Sequence, residues 1–324
     1  MNDLAETETE PETDIAVSTR QVIIAVLLFT ATFVATTYVG AMQSGSDLGK
    51  PGGWISGLPY SVPLLSILLA HEFGHFIAAR IHRVPASPPF FVPMPVPPLG
   101  TMGAVILMRS RIGRRNALLD IGAAGPLAGM VVAIPVLIYG IVHSPVAAAP
   151  SGVEYWMEGR SLLYLGLLYL LKGPIPEGHD IMLSPTAFAG WAGLLVTMIN
   201  LIPVAQLDGG HVAYALFGKR QENYSRRVRA LLLPLAVGVS LAYGLPGLFK
   251  GLHGDALFAG FAPGGQWLTW WILLRLMSRQ GRPEHPPTDD DTLSPRRRIV
   301  AIGTLLLFVL LFMPAWLRQI PVGS

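Results

Sequence analysis

Cysteine is absent from the 324 residues, which excludes disulfides, a thiolate nucleophile and any cysteine-built metal site. A metal bound here would have to be held by His, Asp or Glu. Charge is scarce as well: Asp, Glu, Lys and Arg make up 13% of the chain, against about a quarter in ordinary soluble domains. With 52% hydrophobic residues and a mean hydropathy of +0.50, the chain is too apolar for a soluble fold and belongs in a bilayer. A net charge of +3 and a pI near 9.3 could suggest nucleic acid. The arginines, however, stand in short clusters flanking apolar runs, the pattern that sets membrane topology, and no nucleic-acid partner is expected.

Residues 1–20 hold six acidic side chains against the single basic Arg20 and almost no large apolar ones, the composition of a disordered tail. That charge is wrong for a secretory leader, so the apolar run that follows reads as a retained helix. A hydrocarbon core about 30 Å thick needs about 20 apolar residues per helix. Candidates are Gln21–Met42, Leu58–Ile81, Ala117–His143, Thr186–Ala205, Ala230–Leu248, Pro263–Ser278 and Ile299–Leu317. Seven spans are expected, with Ser161–Leu171 too short to cross and read as an interfacial or re-entrant helix. On that count one side receives Arg20 and the clusters Arg80–Arg115, Lys219–Arg229 and Arg275–Arg298, 18 of the 23 Lys and Arg; the other receives Lys50, Arg160, Lys172, Lys250 and Arg318. The asymmetry predicts a cytoplasmic N-terminus and an outside C-terminus.

The second span contains His71-Glu72-Phe73-Gly74-His75. Ionisable groups at membrane depth are costly and mark function by default. At about 100° per residue the two histidines lie about 40° apart on a helix, with Glu72 on the same side. This HExxH arrangement sets two imidazoles on one metal beside a carboxylate that can take a proton from water. The alternative is that both histidines bond neighbouring helices structurally.

A catalytic zinc commonly takes three protein ligands. The best third candidate lies in Asn200-Leu201-Ile202-Pro203-Val204-Ala205-Gln206-Leu207-Asp208-Gly209-Gly210-His211, because Asp208 is the only carboxylate between Asp180 and Glu222. The topology also brings both motifs toward the cytoplasmic ends of their helices. HEFGH followed by NLIPVAQLDGG resembles the site-2 protease family of intramembrane zinc proteases, over about Leu58 to Arg229. The resemblance implies one Zn2+ held by His71, His75 and Asp208, Glu72 as general base, and Asn200 as the residue that orients substrate or steadies the oxyanion. Asn200 has a second reading, satisfying backbone groups freed by Pro203. His211 is not expected among the ligands.

Between the second and third spans, Val84–Pro98 holds seven prolines and cannot be helical. It reads as an extended, partly membrane-immersed segment leading to a strand at Gly103–Met108. An exposed strand edge can hold a substrate extended by β-augmentation, which makes Gly103, Ala104, Val105 and Ile106 candidate substrate contacts; a purely structural hairpin is the competing reading. Gly122-Ala123-Ala124-Gly125-Pro126-Leu127-Ala128-Gly129 reads as a helix-packing surface and resembles the family's third, GP-containing helix. The His285 and Asp289–Asp291 loop reads as a solvated turn.

The expected fold is therefore an all-α polytopic membrane bundle of about seven helices, with a three-helix core and a small membrane-associated β-hairpin. Its division is an acidic tail (1–20), a first helix and loop (21–56), the core (57–229) and C-terminal helices (230–324), with no room for the PDZ or paired CBS modules common in the family. The expected substrate is a transmembrane protein, in a bilayer that is expected to be a bacterial inner membrane. A silent scaffold of the same fold, or a metal transporter, are the rival functions; a transporter has no need of Glu72 in that position.

Overall fold

The computed structural model describes residues 17–50, 52–108, 112–150, 154–277, 288–289 and 292–320. The acidic tail up to residue 16, His285, Asp290 and Asp291 lie outside the described residues. Among the described residues, four helical stretches are long and apolar enough to cross a membrane: Thr19–Gln43, Gly53–Ile81, Arg115–Val142 and Asp208–Phe249.

The first is α1 (Thr19–Gln43), opened by a capping box in which Ser18 and Gln21 satisfy each other's backbone N–H groups. It is followed by α2 (Leu58–Ile81) and α3 (Arg115–Val142), whose contact is the most extensive between any two elements. Small residues make that closeness possible: a Cβ at Gly74 would meet the backbone of Ala124. Helix α5 (Pro185–Asn200), capped by Ser184, packs on both. Gly140 at the end of α3 abuts Ala187, and Thr186 donates to the carbonyl of Pro59, so α5 runs alongside α2 and against α3.

The proline-rich segment forms an antiparallel hairpin of β1 (Phe90–Pro93) and β2 (Thr101–Val105), with Phe90 opposite Val105 and Pro93 opposite Thr101. It lies against α1, where the Phe29 and Phe91 rings meet edge to face at 5.1 Å. Its tip is pinned at the far ends of α1 and α2: Gln43 donates to the Pro98 carbonyl at 2.7 Å and Tyr60 to that of Leu99 at 2.9 Å. The strand expected at Gly103–Met108 is thus shorter and earlier, with Ile106 and Leu107 outside it and Met108 in an isolated bridge to Ala86.

Beyond α3 come β3 (Val146–Ala148), β4 (Tyr155–Glu158), α4 (Leu162–Lys172) and β5 (His179–Ile181). Both flanks of α4 return to one place: Arg160 is bonded to Asp180 beyond the helix, and Lys172 donates to the Val142 carbonyl at the end of α3. Around Arg160, the Glu158 carboxyl accepts from Tyr164 at 2.9 Å, and burial pushes it above the usual carboxylate range.

Helix α6 (Asp208–Phe217) leads into α7 (Gln221–Phe249), which α8 (Gly254–Phe261) and α9 (Pro263–Met277) pack against. Helix α10 (Pro295–Leu311) starts beside the first turns of α3, where Arg297 pairs with Asp120, and ends near β6 (Leu317–Ile320), which pairs with β4 beyond the end of α3. The span expected at Thr186–Ala205 is a 16-residue helix followed by tight turns, and those expected at Pro263–Ser278 and Ile299–Leu317 give helices of 15 and 17 residues. The helix expected from Ala230 begins nine residues earlier, at Gln221.

Candidate metal centre

The i, i+4 spacing of His71 and His75 on α2 stacks the two imidazoles on one face, and that face looks into the bundle, since His71 is 3% exposed and His75 and Glu72 are each 8% exposed. Asp208 reaches them from α6. Its Oδ2 lies 3.2 Å from Nε2 of His71 and 3.2 Å from Nε2 of His75, and the two Nε2 atoms are themselves 3.2 Å apart. Among the described residues this is the group of side chains able to hold a metal ion together. Four ligands set tetrahedrally at about 2.0–2.1 Å from zinc stand about 3.3–3.4 Å from each other. The near-equilateral triangle of two nitrogens and one oxygen fits such an ion and leaves a fourth position for another group.

The segment between α5 and α6 explains how a residue so distant in sequence arrives there. Asn200 ends α5, Pro203 has no N–H with which to continue a helix, and Ala205 takes a left-handed φ of 51° while its N–H is bonded to Ser225 at 3.3 Å. The chain turns and restarts as α6 with Asp208 as its first residue, where a carboxylate also faces the favourable end of the helix dipole. Gly209 and Gly210 allow the crowding, because a Cβ on either would run into the carbonyls of Leu201 and Ala205. Asp208, which lies three residues past the expected fourth span of Thr186–Ala205, thus stands at the start of a separate helix.

Around the triangle, Asn200 Nδ2 lies 3.2 Å from His71 Nε2, so its amide nitrogen reaches the site. His75 donates from Nδ1 to the Ile121 carbonyl at 2.8 Å, leaving Nε2 free for a metal. His211 is not in the group; its Cβ packs toward Gly122. Gly103, Ala104 and Val105 lie in β2 and Ile106 just past it, and among the described residues the second edge of β2 carries no strand. Met102 and Val105 on that strand are 72% and 51% exposed.

The resemblance implies a GP-containing third helix packed against the metal-binding pair, and the structure gives that contact at the level of single glycines; a second feature, at Asp120, escaped sequence reasoning. The small-residue surface of α3 touches the imidazoles themselves: a Cβ on Gly125 would overlap the His75 ring, and one on Gly129 would stand 3.2 Å from His71. Asp120, next to Ile121, binds His82 at the end of α2 (2.8 Å) and Arg297 of α10 (2.7 Å), tying three helices together one residue from the carbonyl that holds His75. The signal for it was a lone carboxylate at the head of an apolar run.

Residues 59–243, more than half of the chain, match the model of Peptidase family M50. The probable zinc metalloprotease EGY2, chloroplastic, of Arabidopsis thaliana is 30% identical over 78% of this chain and 40% of its own length. The probable zinc metalloprotease EGY1, chloroplastic, of Oryza sativa subsp. japonica is 32% identical over 81% of this chain and 41% of its own. The chain spans about two fifths of the length of the curated relatives it matches. No solved structure matches it. A helical membrane protein whose sequence matches across this core, with relatives that are named zinc metalloproteases, belongs to peptidase family M50, the site-2 protease family.

Proposed function

We propose that this protein is an intramembrane zinc metalloprotease that hydrolyses peptide bonds in or near the transmembrane segments of membrane proteins. The observation that carries the reading is the buried triangle of His71, His75 and Asp208 with Glu72 beside it on the same helix. The two imidazole Nε2 atoms and the Asp208 carboxylate hold the ion. Zinc, when bound, supplies a Lewis acid that polarises a carbonyl and makes water easier to deprotonate. Glu72 takes the proton of the attacking water and delivers it to the leaving amine. Asn200, with its amide in the site, orients the peptide or donates to the developing oxyanion. Burial within the bundle limits bulk water around these groups, which strengthens each polar interaction.

The free edge of β2 offers Gly103, Ala104, Val105 and Ile106 to an unwound substrate segment, which adds to the hairpin as a third strand. Seven crossings, with a cytoplasmic N-terminus and an outside C-terminus, complete the reading. They are supported by the 18-to-5 division of Lys and Arg, by the return of both α4 flanks to one side, and by the shared direction of α3 and α10. The division keeps the tail, first helix, core at 57–229 and C-terminal helices; the family match at 59–243 overlaps the core and runs 14 residues past its end.

The test is zinc analysis and cleavage of a transmembrane substrate by purified wild type and Glu72→Gln. The amide variant keeps near-stoichiometric zinc and loses about 10²–10⁴-fold in rate. Wild-type turnover in that variant overturns the mechanism.

A further inference from the structure

The five cations on the β-strand side of the bundle do not share one fate. Lys50 lies 3.5 Å from Asp47, Arg160 is bonded to Asp180, and Lys172 donates to the Val142 carbonyl. Lys250 and Arg318 have no carboxylate partner among the described residues, and both line the same pocket. It is a cavity of about 200 Å³ where the end of α7, helix α8 and β6 meet, walled by Tyr243, Pro246, Leu257 and Ile320, with no carboxylate among its lining residues. The guanidinium of Arg318 is held in place, stacked 4.5 Å from the centre of the Tyr243 ring, with Nη2 also directed at the Met157 sulfur. The nearby carboxylate of Glu154 is engaged by Gln319 at 2.6 Å. Next to the pocket, Phe249 is 84% exposed and Phe258 74% exposed, a surface suited to acyl chains at the edge of a bilayer.

From this geometry we infer a binding site for the phosphate headgroup of an anionic phospholipid, with Lys250 and Arg318 on the phosphate and Phe249 and Phe258 against the chains. Two cations converging on one cavity suit a phosphate's several acceptor oxygens. One water needs about 10–15 Å³ of such space, so 200 Å³ has room for about 13–20 water-sized groups, enough for a phosphate headgroup. The apolar walls and exposed aromatic rings favour a lipid over free phosphate, which would gain nothing from them. The site lies away from the metal centre and does not depend on the activity proposed above.

The test titrates the full chain in detergent with short-chain phosphatidylglycerol, phosphatidylcholine and inorganic phosphate, reading the thermal unfolding midpoint and the bound mass by native mass spectrometry. One equivalent of phosphatidylglycerol should bind saturably and raise the midpoint, with phosphatidylcholine much weaker. Lys250→Gln should weaken phosphatidylglycerol about fivefold, since each such cation contributes on that scale. Because Arg318 also packs on Tyr243, Arg318→Gln could disturb the fold; the Lys250 variant, whose side chain makes no hydrogen bond or ion pair among the described residues, carries the decision. Equal binding of the two lipids, or unchanged affinity in Lys250→Gln, overturns the site. Inorganic phosphate binding as tightly as the lipid overturns the lipid assignment.

Discussion

His75 donates its Nδ1 proton to the backbone carbonyl of Ile121, 2.8 Å away across the α2–α3 contact. A carbonyl can only accept, so this bond sets the tautomer of the ring and turns Nε2 toward Asp208. It forms because α3 comes unusually close, and the closeness rests on Gly125, where a Cβ would overlap the ring. Gly125→Ala should therefore displace His75, lower zinc affinity at least tenfold and destabilise the bundle by about 1–3 kcal/mol. Gly238→Ala on α7, where a Cβ would meet nothing within 4 Å, is the control and should leave zinc content unchanged. Equal zinc retention by both variants would contradict the role given to the α3 surface.

The ligand set makes a second prediction, read by metal content and turnover together. Asp208→Ala should lose most of its zinc, and His211→Ala should keep it, because only the former has an oxygen in the triangle. Asn200→Ala should keep zinc and lose about 10²–10³-fold in turnover, the usual effect of removing an oxyanion donor. Zinc loss in the His211 variant together with zinc retention in the Asp208 variant would reverse the assignment.

Asp120 is bonded to His82 and to Arg297 and precedes the residue that holds His75. Removing Arg297 from this half-buried cluster leaves the Asp120 carboxylate with His82 alone. Arg297→Ala should lower zinc affinity about 10–100-fold, the range seen for groups that orient metal ligands. Arg297→Lys should recover part of it through the retained charge. A purely structural role would lower the unfolding midpoint and leave the zinc affinity of the folded protein untouched.

Topology is open to cysteine labelling, helped by the absence of native cysteine. A cysteine at exposed Asn223 should react with an impermeant reagent from the cytoplasmic side only, and one at exposed Glu177 from the outside only. Reaction of the Glu177 position from the cytoplasm would mean that α4 crosses the membrane and that the chain downstream is inverted.

Legibility in the sequence followed the range of the interaction involved. The helical pairing of His71 and His75 is a four-residue relationship, so it could be read without a structure. The hairpin was half legible: seven prolines ruled out a helix, but the strand was placed two residues late because the bonds that fix its register lie on β1 and at the Tyr60 and Gln43 contacts. Lengths of apolar runs gave seven candidate spans, of which four helical stretches meet the length and apolarity of a crossing.

By itself the sequence determined that this is a membrane protein, that any metal must sit on His and carboxylate groups, and that two imidazoles and Glu72 share one helical face. Only the tertiary structure decided which carbonyl fixes His75, why Gly125 must lack a side chain, and how Asp120 ties α2, α3 and α10 together. The bond from His71 to Asp208 spans 137 residues and that from Asp120 to Arg297 spans 177. Periodicity carries no information over such separations. The packing of helices on small residues supplies it, because close approach brings backbone carbonyls and buried carboxylates within hydrogen-bonding reach of side chains that the sequence keeps far apart.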